Sequence, residues 1–123
     1  LRQDVRFLGF VPYQILRVFY RRAEAFVFPS LQEGFGLPPL EAMAHGTPVV
    51  TSNVSSLPEV VGQAAVQVNP ENVFELARGI RQVLLDETTR NHVIAQGFEQ
   101  IKRFSWERAA MRVRDLYLEA AAR

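Results

Sequence analysis

The chain has 123 residues, with 14 Lys and Arg against 13 Asp and Glu, 48% hydrophobic residues and no cysteine. This composition fits one globular domain and excludes disulfide frameworks, thiolate nucleophiles and cysteine-based zinc or iron sites. A net charge of +1, with bases interleaved among acids, excludes the clustered basic face that polyanion binding requires.

Val5-Arg6-Phe7-Leu8-Gly9-Phe10 is short, β-rich and closed by Gly9 and Pro12, which predicts a strand feeding a turn. Pro12 opens a predicted helix over Tyr13 to Ala23, with Leu16, Phe19, Tyr20 and Ala23 at helical spacing. Ala25-Phe26-Val27-Phe28 is a continuous apolar run ended by Pro29-Ser30, as expected of a strand buried on both faces of a parallel sheet. After a loop carrying Gly34 and Gly36, Pro38 and Pro39 stand at a helix start, and Leu40 to His45 run on to a stop at Gly46. Pro48 to Thr51 gives a third strand.

Ser56-Leu57-Pro58-Glu59 has the form of a capping box for a short helix reaching Gly62, and Ala64 to Val68 reads as a fourth strand. Asn69-Pro70 is the expected cap of the next helix, striped by Val73, Leu76, Ala77, Ile80, Val83 and Leu84 and ending near Asp86. Glu87 to Phe104 reads as a further helix weakened at Gly97, and Ser105 caps the last one, striped by Trp106, Ala109, Val113, Leu116, Tyr117 and Ala120. The alternating charges of that last helix read as a solvated face.

Alternating strands and helices with short connections imply an α/β fold, a partial Rossmann-like parallel sheet of about four strands flanked by helices. No repeat, low-complexity segment or linker divides the chain, so residues 1–123 are expected to form a single, truncated domain. No run reaches the roughly 18 apolar residues of a membrane span, and Leu1-Arg2-Gln3-Asp4 has no leader-like hydrophobic region. The expected address is cytoplasmic, or membrane-peripheral in a longer parent enzyme. With no initiator Met ahead of an apolar strand, the sequence is expected to be a fragment.

Open parallel sheets bind ligands beyond the carboxyl ends of their strands, which directs attention to the segment after Phe28. There Glu33 and Glu41 bracket a loop containing Gly34 and Gly36 that enters a helix. Pro38 and Pro39 remove two amide donors from the helix start, leaving Gly34, Phe35, Gly36 and Leu37 to supply N–H groups. Carboxylates repel phosphate but accept hydrogen bonds from hydroxyls. Amide donors for oxyanions beside carboxylate acceptors for vicinal hydroxyls suggest a nucleotide-sugar ligand.

The motif Glu33-Gly-Phe-Gly-Leu-Pro-Pro-Leu-Glu41-Ala-Met-Ala, with Gly46-Thr-Pro-Val-Val and Ser55-Ser-Leu-Pro-Glu-Val, resembles the retaining glycosyltransferases of family 4, also called glycosyl transferases group 1. Phe7-Leu-Gly-Phe-Val-Pro, Ala25-Phe-Val-Phe-Pro-Ser, Gly62-Gln-Ala-Ala and Phe104-Ser-Trp resemble further landmarks of that family in the same order. The resemblance implies the later part of the C-terminal, donor-binding domain of a two-domain GT-B enzyme. It implies hexose transfer from a UDP-, GDP- or ADP-linked donor to an acceptor hydroxyl, with retention and without a metal. It assigns the catalytic contact with the donor sugar to Glu33, the ribose hydroxyls to Glu41, and sugar and phosphate oxygens to the amides of Gly34, Phe35, Gly36 and Leu37. The turn at Phe10 and Val11 falls near the base.

In that family an Arg and a Lys that stabilise the leaving diphosphate come from an earlier segment, and the N-terminal domain supplies the acceptor site. The isolated chain is therefore expected to be inactive. The family sheet order also separates the Val5 strand from the Ala25 strand, so either those two pair directly or a second copy covers the bare edge. An alternative reading is a non-catalytic nucleotide-binding or association module of the same ancestry, and a related phosphorylase or synthase shares the spacing. The chain offers no dinucleotide G-x-G-x-x-G fingerprint. His45 and His92 are given no catalytic role, Ser55, Ser56 and Glu59 are read as a helix cap, with contact between their loop and the donor as the alternative, and Phe19, Phe26, Phe28, Phe98, Phe104 and Trp106 are expected in the core.

Overall fold

The computed structural model describes residues 2–123, in the order α1 (Tyr13–Arg22), β1 (Phe26–Phe28), α2 (Leu37–Ala44), β2 (Val49–Ser52), α3 (Leu57–Val61), β3 (Val66–Val68), α4 (Val73–Leu85), α5 (Glu87–Ile101) and α6 (Trp106–Ala121). The three strands form one parallel sheet in the order β1-β2-β3, with Phe26 opposite Val49 and Val50 opposite Val66. The α/β class and the alternation of strand and helix match the sequence reading. The sheet has three strands rather than about four.

The missing strand is the one expected at Val5 to Phe10. These residues are exposed and belong to no sheet, with Phe7 98% and Phe10 93% accessible. Their composition favours extended backbone, yet a strand also needs a neighbour to take its N–H and C=O groups. The direct pairing of this segment with the Ala25 strand is not present: β1 pairs with β2 alone among the described residues.

Strand β2 is buried along its whole length, and its alternation divides the core between the two sheet faces. On one face Val49 joins Leu40, Ala42 and Met43 of α2, Val60 and Val61 of α3, and Tyr20 of α1. On the other, Val50 joins Val68 and Val83, with Val27, Val66, Leu76 and Ile80 packed around them beneath α4. Helix α5 packs against both α2 and α4. Arg90 fixes its start: Nη1 donates to the carbonyls of Glu24 at 2.7 Å and Val83 at 3.3 Å, and Nη2 pairs with the Glu24 carboxylate at 2.9 Å.

Several local expectations change. The cap of α4 is Asn72, whose side chain accepts from the amides of Phe74 and Glu75, while Asn69 accepts from Glu71 in the turn before it. Ser56 makes no side-chain cap, so Ser56 and Glu59 do not form a capping box. Helix α5 ends at Ile101 rather than Phe104. Ser105 caps α6 as expected, by accepting from the amide of Arg108. Phe26, Phe28 and Phe104 are partly buried, but Phe19, Phe98 and Trp106 are exposed. No residue of α6 is buried, so its apolar stripe is open, and Trp106 is 82% accessible. None of the described helices is long and apolar enough to cross a membrane.

Gly79 sets how closely α4 lies on the sheet. A Cβ there would stand 2.8 Å from Val68 Cγ1 and 3.2 Å from Val50 Cγ1. Gly79→Ala gains about 1 kcal/mol of helix propensity but forces two buried strands and a helix apart. Overpacking costs about 1–3 kcal/mol, so the expected result is a net loss, read as a lower urea midpoint with an unchanged slope. A higher midpoint would contradict this packing.

Candidate functional site

Because all three strands run the same way, the loops after β1 and β2 leave the sheet at one end. Side-chain hydroxyls join them. Thr51 Oγ1 donates to the Phe28 carbonyl at 2.9 Å and Ser52 Oγ to the Ser30 carbonyl at 2.6 Å, fixing the path of the chain as it leaves β1. Further out, Ser55 Oγ accepts from the amide of Glu33 at 3.1 Å and donates to its carbonyl at 3.0 Å. Ser56 Oγ lies 2.7 Å from the Phe35 carbonyl and 3.1 Å from that of Glu33. The serines read as a helix cap thus strap the Glu33 loop.

Two backbone conformations permit this. Gly36 caps α2 with φ of 107°, and a Cβ at that position would meet Leu57 Cδ2 at 2.7 Å, so only glycine fits. Ser55 is the one non-glycine among the described residues with positive φ, at 61°. A single serine in the left-handed region is strained, and here its hydroxyl holds both backbone groups of Glu33 in return.

The strapping engages the carbonyls of residues 33 and 35 and leaves the following amides alone. The N–H groups of Gly34, Phe35, Gly36 and Leu37 donate to no described residue. They precede or open α2, whose dipole adds positive character and whose first turn carries no acid. Phe35 sets its ring edge-on against Phe104, with centroids 5.6 Å apart. The loop therefore presents four uncommitted amides on a fixed backbone.

Each bracketing carboxylate is held through one oxygen. Ser30 Oγ donates to Glu33 Oε1 at 2.7 Å, and Tyr20 OH donates to Glu41 Oε2 at 3.0 Å. Glu33 Oε2 and Glu41 Oε1 have no partner among the described residues. Tyr20 is 3% exposed, stacked on His45 and edge-on to Phe26. Burial first, then the hydrogen bond and negative charge of Glu41, hold its phenol well above the usual tyrosine range, so it keeps its proton. His45 has a structural role, with Nδ1 at 2.8 Å from the Glu41 carbonyl. His92 is exposed on α5.

Phe10 and Val11 immediately precede Pro12, the cap of α1, and Val11 is partly buried. Among the described residues no three His, Asp or Glu side chains gather as a metal site would require. Two open apolar hollows lie elsewhere, along Ala77, Ile80 and Leu84 of α4 and along Trp106, Val113 and Tyr117 of α6; neither is lined by the Glu33 loop. The sequence reading missed Tyr20, Ser30 and Ser52. Ser30, three residues ahead of Glu33 at a strand exit, and Ser52, at the end of the central strand, carried the available signal, but Tyr20 lies 21 residues from its partner.

The family model for glycosyl transferases group 1 matches residues 1–100. The chain belongs to this family. Its later residues extend the likeness: it is 47% identical over 113 residues to O-antigen chain mannosyltransferase B of Escherichia coli, covering 92% of this chain and 30% of that protein. It is 38% identical over 118 residues to a glycogen synthase of Mycobacterium tuberculosis, covering 94% of this chain and 28% of that one. Among solved structures, sucrose-phosphate synthase from Thermosynechococcus elongatus superposes with a TM-score of 0.84 at 34% identity, over 98% of this chain and 31% of that one. The chain thus spans about 30% of the length of each of these glycosyltransferase relatives, and its fold is that of part of a GT-B C-terminal domain.

Straining Ser55 is useful only if its hydroxyl holds Glu33. Ser55→Ala keeps the strain and loses both hydrogen bonds, and is expected to cost about 1–2 kcal/mol. Ser55→Gly loses the same bonds but relieves the strain, and is expected to cost less. Equal unfolding midpoints for the wild type and Ser55→Ala would contradict the strap, and equal midpoints for the two variants would contradict the strain.

Proposed function

We propose that this chain is the donor-binding part of a retaining glycosyltransferase, which moves a hexose from a nucleoside diphosphate sugar to an acceptor hydroxyl. The observation that carries the reading is the run of four amides, Gly34 to Leu37, that donate to no described residue, set between two carboxylates that each keep one oxygen without a partner among the described residues. Glu41 accepts from the ribose diol, the amides take sugar and phosphate oxygens, and Glu33 contacts the donor sugar as the catalytic carboxylate. The base lies near Phe10 and Val11.

In such a transfer the anomeric carbon loses its bond to the diphosphate and gains one to the acceptor oxygen on the same face. The acceptor proton passes to the departing phosphate oxygen. Charge builds on the diphosphate, and amides already fixed in place stabilise it without reorganisation. No metal or other cofactor is part of this proposal. The acceptor wall and the cationic groups for the diphosphate belong, on this reading, to the remaining length seen in the relatives, so the chain by itself binds donor without turnover. The mannosyltransferase relative favours mannose as the hexose; the glycogen synthase relative makes glucose the competing donor.

Calorimetric titration with GDP-mannose and UDP-glucose tests this. Saturable binding of one donor is expected, weakened about 10-fold or more in Glu41→Gln by the loss of charge-assisted hydrogen bonds. Equal affinity in the variant, or no binding of either donor to the folded chain, would overturn the assignment.

A further inference from the structure

We infer that Tyr20 is a positioning residue for the diol-binding carboxylate, so that discrimination between a ribose and a sugar lacking its hydroxyls depends on a tyrosine in α1 that never touches the ligand. The inference rests on the donor-binding reading of Glu41 and extends it. A carboxylate in the second turn of an exposed helix face rotates freely about its last torsion, and two acceptors with free rotation select weakly between a diol and water. Glu41 is different: Oε2 receives the Tyr20 hydroxyl at 3.0 Å, which leaves Oε1 as the open acceptor on a carboxylate of defined plane.

Tyr20 is itself held on every side. Its ring stacks on His45 with centroids 5.6 Å apart and meets Phe26 edge-on at 5.3 Å, and its backbone carbonyl accepts the Thr47 hydroxyl. His45 closes the loop, because its Nδ1 lies 2.8 Å from the Glu41 carbonyl one turn earlier on α2. The phenol keeps its proton, since burial and the adjacent carboxylate both disfavour phenolate, so it donates throughout the neutral range. A buried tyrosine that only needed an acceptor could use a backbone carbonyl. Here it takes one oxygen of a carboxylate whose other oxygen is unpartnered among the described residues.

The test compares GDP and UDP with their 2′,3′-dideoxy counterparts on the full chain. For the nucleotide that binds, the ribose form is expected to bind at least about 10-fold better, as charge-assisted hydrogen bonds imply. Glu41→Gln should reduce that ratio towards 1. Tyr20→Phe should reduce it to about 2- or 3-fold while leaving affinity for the dideoxy form unchanged, a pattern that loss of folding does not produce. Added to Glu41→Gln, it should do nothing further. If Glu41→Gln lowers the ratio and Tyr20→Phe does not, the positioning role is wrong and the donor-binding reading stands. If neither ribonucleotide binds, or the wild-type ratio is 1, both fail together.

Discussion

The burial of β2 on both faces is the constraint from which the rest of the structure follows. Val49 and Val50 point into opposite halves of the core, each side chain worth about 1.5–3 kcal/mol on burial, and so hold α2 and α3 on one face and α4 on the other. The last two residues of the strand are hydroxyl-bearing, and both are completely buried. They hydrogen-bond the chain leaving β1, at Phe28 and Ser30. The strand that builds the core therefore also sets the exit of the loop that carries Glu33.

From that exit onward the same economy recurs. Hydroxyls satisfy the carbonyls of Glu33 and Phe35 and one oxygen of each carboxylate, while the amides from Gly34 to Leu37 donate to no described residue. A loop fixed through its acceptors keeps its donors for something else. The proposed donor site uses this polarity: oxyanions go to the amides and the helix dipole, hydroxyls go to the carboxylates, and neither group has to break an internal bond first. Open apolar stretches lie on the stripe of α6 and on the Val5 to Phe10 segment. The chain covers about 30% of its relatives' length, and the α6 stripe takes no part in the proposed site.

Much of this was legible in the sequence because it is local. The runs at Ala25 to Phe28 and Pro48 to Thr51 and the helical stripes gave the α/β alternation within a few residues of the observed elements. Glu33 and Glu41 were visible through their spacing about a glycine loop. What failed was what depends on a neighbour. Among the described residues, Val5 to Phe10 has strand composition but nothing to pair with, and Trp106 has core spacing on a helix that no other element covers. Asn69 and Asn72 are both good caps by type, and only the turn geometry chooses the second. Gly97, read as a weak point in α5, is buried where that helix approaches Met43. The Tyr20 to Glu41 bond joins two helices across a strand, which no periodicity reveals.

The most direct test of the central claim is a backbone amide chemical-shift map of the chain titrated with the sugar nucleotide that binds. The account predicts that the largest shifts fall on Gly34, Phe35, Gly36 and Leu37, the amides without an internal partner, with lesser changes at Glu41 and Tyr20. Shifts concentrated along α4 or α6, with the 34–37 amides unmoved at saturation, would contradict it.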